Sequence, residues 1–277
     1  MIALRRHQLV WLETAAWQRL LAPLPDMSPA SDMSPTPDVA PPPEMSPASD
    51  MSPLPDMSPA SDMSPTPDMS PTPDMSPRDP QSAECLQHWA SHELPLVVTR
   101  QPPGRPIHQA DHAVTLGLAA PLHWGRRRLF VEVRFSDLAR MGSFAGAGAI
   151  TPMLPAPLRD DWSTFCAGID RITGAEPRVY GSYGWQQLTR LAYVHEGSDI
   201  DLLVAVGSAQ QADRVAARLE DAPRGAPRID GELVFPDGTA VAWREWTLWR
   251  SGNAAQVLIK RVDGAKLVDA GSWAPPA

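Results

Sequence analysis

Apolar residues in this chain fall into short runs whose periods differ from one stretch to the next. Leu9-Val10-Trp11-Leu12 is continuous and predicts an extended segment to about residue 12. A helix then runs from Glu13 to about residue 21 and is stopped by Pro23 and Pro25. After a long polar stretch, Cys85 to Ala90 predicts a short helix, and Leu94–Thr99, Val114–Leu118 and Leu129–Phe135 predict strands. Ser136 to Leu158 is rich in Gly, Ala and Pro and is expected to be a connection. Beyond it, Trp162–Ile172 is an amphipathic helix, Arg178–Tyr180 a strand, Trp185–Leu191 a helical turn and Asp199–Val206 a strand. Ala209–Asp221 is a helix with Val215, Ala216 and Leu219 on one side. Ile229–Phe235 and Thr239–Trp246 flank Pro236-Asp237-Gly238 and predict a hairpin, and Val257–Ile259 is a last short strand. The pattern gives a small N-terminal α+β domain, discontinuous over residues 1–22 and 85–140. An α/β domain with a mixed sheet follows over residues 150–277.

The stretch between the N-terminal pieces has a different period. Acidic residues fall every six positions from Asp26 to Asp74, with the consensus D-M-S-P-(A/T)-(S/P). Proline at this frequency blocks both helices and sheet ladders, so residues 23–84 are expected to be a disordered, partly polyproline-II insertion. Residues 26–79 hold ten acids against one base, Arg78, and so carry −9 of a formal net charge of −8. The remainder is therefore +1, which gives no argument for nonspecific nucleic-acid binding. The only cysteines, Cys85 and Cys166, form no C-x-x-C pair. No apolar run reaches the ~18–20 residues that span a bilayer. The N-terminus lacks a signal peptide's continuous apolar core, and a cytoplasmic protein without membrane partners is the expectation.

Two short motifs carry candidate chemistry. Val179-Tyr180-Gly181-Ser182 places Gly-Ser at a strand end. Ser198-Asp199-Ile200-Asp201 places two carboxylates at i and i+2 of the next strand, on one face. Such a pair heading an apolar run is costly unless a cation lies between them, and Mg²⁺ takes one or two carboxylates plus substrate phosphates. The other reading is two solvated aspartates in a turn. Glycine lets a backbone approach a phosphate closely, and a serine hydroxyl can donate to its oxygens. A third carboxylate is expected from Arg228-Ile229-Asp230-Gly231-Glu232, where Asp230 ranks above Glu232. Lys260 ends the last strand, where it is in reach of a phosphate or simply exposed. Arg126-Arg127-Arg128 is a solvated turn or a contact to phosphate or a carrier protein, and Trp185 is a core residue or an adenine stack.

A Gly-Ser strand end followed by D-x-D resembles the signature of the nucleotidyltransferase superfamily. Three further features narrow the likeness. Trp185-Gln186-Gln187-Leu188-Thr189-Arg190-Leu191-Ala192-Tyr193 lies between the two motifs, sixteen residues separate Ser182 from Asp199, and the N-terminus reads His7-Gln8-Leu9-Val10-Trp11-Leu12. Together they resemble the MdcG family, the phosphoribosyl-dephospho-CoA transferases or malonate decarboxylase holo-acyl-carrier-protein synthases. The likeness covers both halves and skips the repeat. It implies a nucleotidyltransferase-like C-terminal domain that takes 2′-(5″-triphosphoribosyl)-3′-dephospho-CoA as donor. The acceptor would be a serine of the acyl-carrier subunit of malonate decarboxylase, with diphosphate released. Asp199 and Asp201 would hold Mg²⁺, one of them or Asp230 would help deprotonate the acceptor, and Gly181, Ser182 and Lys260 would bind phosphate. Two other functions fit the same residues: a nucleotidyltransferase with ATP as donor, and a carrier-binding protein without chemistry.

Overall fold

The computed structural model describes residues 4–22, 79–103, 111–269 and 273. The chain divides into one unit formed by Met1–Ala22 and Pro73–Ala277 and a second formed by Pro23–Thr72. The six-residue repeat, and the disorder expected of it, lie outside the described residues.

The N-terminal half builds one antiparallel sheet. Its elements are β1 (Leu9–Leu12), α1 (Thr14–Leu21), α2 (Pro80–Ser91), β2 (Leu96–Val98), β3 (Ala113–Ala119), β4 (Arg128–Arg134) and β5 (Leu138–Gly142), with strand order β4-β3-β2-β1-β5. Alternation along β4 buries Leu129, Val131 and Val133 and leaves Arg128, Glu132 and Arg134 outside. These side chains meet Leu9, Trp89, Leu96 and Leu116 in one core. The fold departs from the sequence expectation at two places. The connection expected at Ser136–Leu158 contains β5, which pairs with β1 and closes the sheet on that side. Residues 80–84, expected within the insertion, form the first turn of α2. The reason is local: Asp79 accepts the Ser82 N–H at 3.0 Å as N-cap, and Pro80 occupies the first helical position.

The second half is a six-stranded mixed sheet. It comprises α3 (Arg159–Thr173), β6 (Arg178–Tyr180), α4 (Gly181–Thr189), β7 (Ile200–Ala205), α5 (Ala209–Glu220), β8 (Ile229–Val234), β9 (Ala240–Ala242), α6 (Trp243–Arg250), β10 (Gln256–Arg261) and β11 (Gly264–Asp269). The order is β11-β10-β9-β8-β7-β6, with β7 and β8 parallel and joined through α5. Ile200, Leu202 and Val204 of β7 face a core shared with Trp162, Phe165 and Val215 of α3 and α5. Asp201 and Asp230, at intervening positions, therefore point to the opposite face.

The return strand expected over Thr239–Trp246 stops at Ala242. Trp243, Trp246 and Trp249 recur every third residue and bury one side of α6, a helical stripe that overrides the hairpin pattern. β11, absent from the sequence reading, pairs with β10 through a tight turn before Gly264. Both cysteines are free and buried, Cys85 in the first core and Cys166 in the second. Burial, reinforced by nearby Glu84 and Glu176 respectively, pushes each thiol up to about 12.

Candidate active site

The site begins where β6 runs into α4. The helix expected from Trp185 starts four residues earlier, so Gly181 and Ser182 are its first turn rather than a loop ahead of it. Their N–H groups belong to the set that a helix leaves without internal partners, the kind of end that can accept an anion. Gly181 has φ +59°, and a Cβ placed on it would overlap Asp201 Oδ2. Only glycine allows both the backbone turn and that close approach. Ser182 lines the same cleft as Gly181 and Asp201.

Asp201 lies on β7 opposite Tyr180 of β6 and in register with Asp230 of β8. Burial, then the charges of Asp230, Asp199 and Glu232, push its carboxyl up to about 7. Asp199 sits one residue ahead of β7, after a turn closed by His195 and Ser198 in which the His195 N–H donates to Ser198 Oγ at 3.0 Å. Arg228 bridges the acidic edge, 4.0 Å from Asp199 and 3.7 Å from Asp230. It is largely exposed, so it offsets little of the repulsion. Asp230 also accepts the Gly231 N–H at 2.8 Å. Gly231, at φ +136°, packs so closely on β7 that a Cβ would overlap Leu202 O, which keeps the two acidic strands together.

Glu232 has a different environment from Asp230. It is buried at 5 % exposure and meets Arg6 at 3.2 Å, His7 at 3.3 Å and Lys260 at 3.1 Å. Burial alone would raise its pKa, but His7, Arg6 and Lys260 outweigh it and hold the carboxyl at about 2. Of the two candidates for a third carboxylate, Asp230 thus faces Asp201 and Glu232 is spent on cations. Lys260, expected near phosphate, has its ammonium on Glu232. Arg6, His7 and Arg228 were not singled out by sequence reasoning; the only hint was that His7 and Arg228 stand inside stretches quoted for other reasons.

The segment from Trp185 to Tyr193 has a structural task. Trp185 leaves α4 to join the N-terminal core, edge-on to Trp89 and Phe144 and stacked on Tyr193, while Tyr183 of the same helix enters the C-terminal core. Gln186 Oε1 accepts the N–H groups of Tyr193 and Val194 at 3.0 and 2.8 Å. The Tyr193 hydroxyl donates to Ala119 O at 2.7 Å. One short segment thereby fixes the Gly181–Ser182 turn against both sheets.

The donor set suits Mg²⁺: hard carboxylate oxygens, with Asp201 carrying uncompensated repulsion. Among the described residues no three His, Cys, Asp or Glu side chains gather into a ready-made cage. Mg²⁺ does not need one, since it accepts one or two carboxylates and completes its shell with water and substrate.

Fold and site together describe a two-sheet α+β protein with an acidic cleft built on a glycine turn. The chain belongs to the MdcG family. The model of the phosphoribosyl-dephospho-CoA transferase MdcG N-terminal domain matches residues 5–144, and that of the C-terminal domain matches residues 149–271. Several proteins named phosphoribosyl-dephospho-CoA transferase are similar to it along most of their length. One from Xanthomonas euvesicatoria pv. vesicatoria is 34% identical, over 68% of this chain and 85% of the relative. One from Xanthomonas campestris pv. campestris is 35% identical over 68% and 85%. One from Bradyrhizobium diazoefficiens is 36% identical over 69% and 81%. No solved structure matches the chain. Among the described residues no helix is long and apolar enough to cross a membrane.

Proposed function

We propose that this protein transfers the prosthetic group of 2′-(5″-triphosphoribosyl)-3′-dephospho-CoA to a serine of the acyl-carrier subunit of malonate decarboxylase, releasing diphosphate. Family membership and relatives named for this transfer support the reaction. The observation that ties it to a site is the approach of Gly181 to Asp201, with Asp230 in register beside it. That arrangement is read as nucleotidyltransferase-like, with the C-terminal sheet as its frame.

Asp199 and Asp201 would hold Mg²⁺, which when bound neutralises phosphate charge and lowers the pKa of an attacking hydroxyl. The first turn of α4 receives the diphosphate: the Gly181 and Ser182 N–H groups and the Ser182 hydroxyl would donate to its oxygens. The acceptor serine oxygen bonds to the α-phosphorus as the bond to the leaving diphosphate breaks. Asp230 accepts the serine proton, since its carboxylate borders Asp201 and is part-exposed. Holding two reactants in line is the larger part of the rate gain in such a transfer. The protein acts on a soluble carrier, in the cytoplasm.

The test is direct. Purified protein is incubated with carrier subunit and either the triphosphoribosyl donor or ATP, following diphosphate release and carrier mass. The expected result is carrier that gains the phosphoribosyl-dephospho-CoA mass with the first donor only. Turnover of ATP in preference would place the protein with other nucleotidyltransferases.

A further inference from the structure

The cleft over Asp201 does not end at the acidic strands. Its cavity, about 410 Å³, continues past His7, Val97, Ala119, Arg128 and Trp185 into a second one of about 330 Å³. Those five residues line both, so the two form one trough. The second part is floored by the N-terminal sheet, with Val97, Val98, Leu118 and Phe130 supplying apolar wall. Gly117 lies in that floor, where a Cβ would come within 2.8 Å of Thr99 Cγ2 and 3.3 Å of Phe130 Cδ1; glycine keeps the floor flat.

The charges along the trough are polarised. Asp201 lies in the first part, Arg128 stands where the two parts join, and the second adds Arg6 and Arg100 with no acid among its described lining residues. Arg6 is committed to Glu232. Arg100 and Arg128 have no acidic partner among the described residues. Within the basic triplet the roles divide: Arg127 pairs with Asp79, and Arg128 turns to the trough.

We propose that this second part is the seat of the adenosine diphosphate moiety of the donor's dephospho-CoA arm. The adenine would lie on the apolar floor, and Arg128 with Arg100 would grip the diphosphate. The inference rests on the donor proposed above and adds where that donor lies. The charge pattern fits it: the donor carries one polyphosphate at its reacting end and a second two riboses away, on the 5′-carbon of the ribose that bears the adenine. The trough offers the Asp201 carboxylate with a helix N-terminus at one end, and guanidinium groups from its middle to the other end. Guanidinium is the side chain best matched to phosphate oxygens, which it can meet in a fork. A trough of this volume with apolar walls and few charged groups is typical of small-molecule sites.

The experiment titrates 3′-dephospho-CoA, and separately ADP, into the full chain by calorimetry, using wild type, Arg128→Glu and Arg126→Glu. Arg126 is exposed and lines neither cavity, so its reversal matches the charge change without touching the trough. The expected result is that ADP competes with dephospho-CoA. Arg128→Glu should weaken dephospho-CoA about tenfold or more, as the loss of one charge-assisted contact predicts, and Arg126→Glu should change it by less than about twofold. In transfer assays Arg128→Glu should raise the donor KM with little change in kcat. Equal affinities of the two variants for dephospho-CoA would overturn the assignment of the trough. Normal transfer by wild type together with that result would leave the proposed reaction standing and remove only the trough. Arg128-dependent binding of dephospho-CoA without any transfer would do the reverse.

Discussion

Asp201 and Asp230 stand opposite each other across the parallel β7–β8 pair, and among the described residues no buried cation neutralises either. The relationship stores repulsion: burial and the neighbouring acids hold the Asp201 carboxyl near 7 in place of the ordinary value of 3.8. A group whose folded pKa is raised favours the folded state most below its unfolded pKa, and that contribution is lost as pH rises through the folded value. In Asp201→Asn the amide cannot ionise. We therefore expect the variant to match wild type near pH 4 and to melt several degrees higher above pH 7, in metal-free buffer, where about 1 kcal/mol moves Tm by ~2–4 °C. The same variant should lose transfer by about 100-fold or more if the carboxylate serves the phosphate chemistry. A melting series from pH 4 to 8, paired with the carrier assay, checks both. Unchanged transfer would remove Asp201 from the catalytic residues.

Gly181→Ala tests the turn itself. An alanine there must hold φ near +59°, which costs an L-residue about 1–2 kcal/mol, and its methyl must displace the Asp201 carboxylate. Stability should fall by that modest amount, while transfer falls by about 100-fold or more if Gly181 and Asp201 act together as proposed, because the two would separate. Far-ultraviolet circular dichroism with the transfer assay separates the two effects. A folded Gly181→Ala variant with normal kcat would show that the close approach is not used.

Much of this arrangement was legible in the sequence, and its limits were physical. The two carboxylate strands and Gly-Ser are local patterns: period two on β7 and β8, and a turn that only glycine can make. The Trp185–Tyr193 segment marked the family but gave no hint of its task, because its hydrogen bonds reach to Ala119 in the other sheet. Sequence ranks Asp230 above Glu232 on little, since both lie on one strand face. What distinguishes them comes from Arg6 and His7, more than two hundred residues earlier, and from Lys260 on β10. The return strand after Gly238 was misread because three tryptophans at helical spacing also contain an apolar run, and packing chose the helix.

Glu232 binds the segment ahead of β1 to the C-terminal sheet, so its removal should act on stability before it acts on chemistry. In Glu232→Gln, Arg6 and Lys260 lose a buried counter-charge and His7 loses a carboxylate partner; breaking such a group costs roughly 3–5 kcal/mol when burial is complete, and somewhat less here because Arg6 and Lys260 are 23 % and 21 % exposed. The folded pKa of about 2 lies below the ordinary 4.5, so this contribution is present above 4.5 and is lost as pH falls toward 2. Wild type and variant should therefore differ in urea midpoint at pH 7 and converge in acid. A constant difference down to pH 2 would mean that packing, and not charge, supplies the effect.

Removing the repeat should cost the catalytic unit little. α1 ends at Leu21, α2 begins at Pro80, and the two helices pack on each other. The chain between them therefore joins points that are already close, and shortening it lowers the closure entropy by roughly 1–2 kcal/mol. The deletion must spare Asp79, which caps α2 and pairs with Arg127. Excising residues 27–74 is expected to keep carrier modification within about threefold of wild type and to leave Tm equal or slightly higher. Loss of modification with the melting transition intact would assign the repeat a part in meeting the carrier. A lower Tm would mean that the repeat contacts the folded unit.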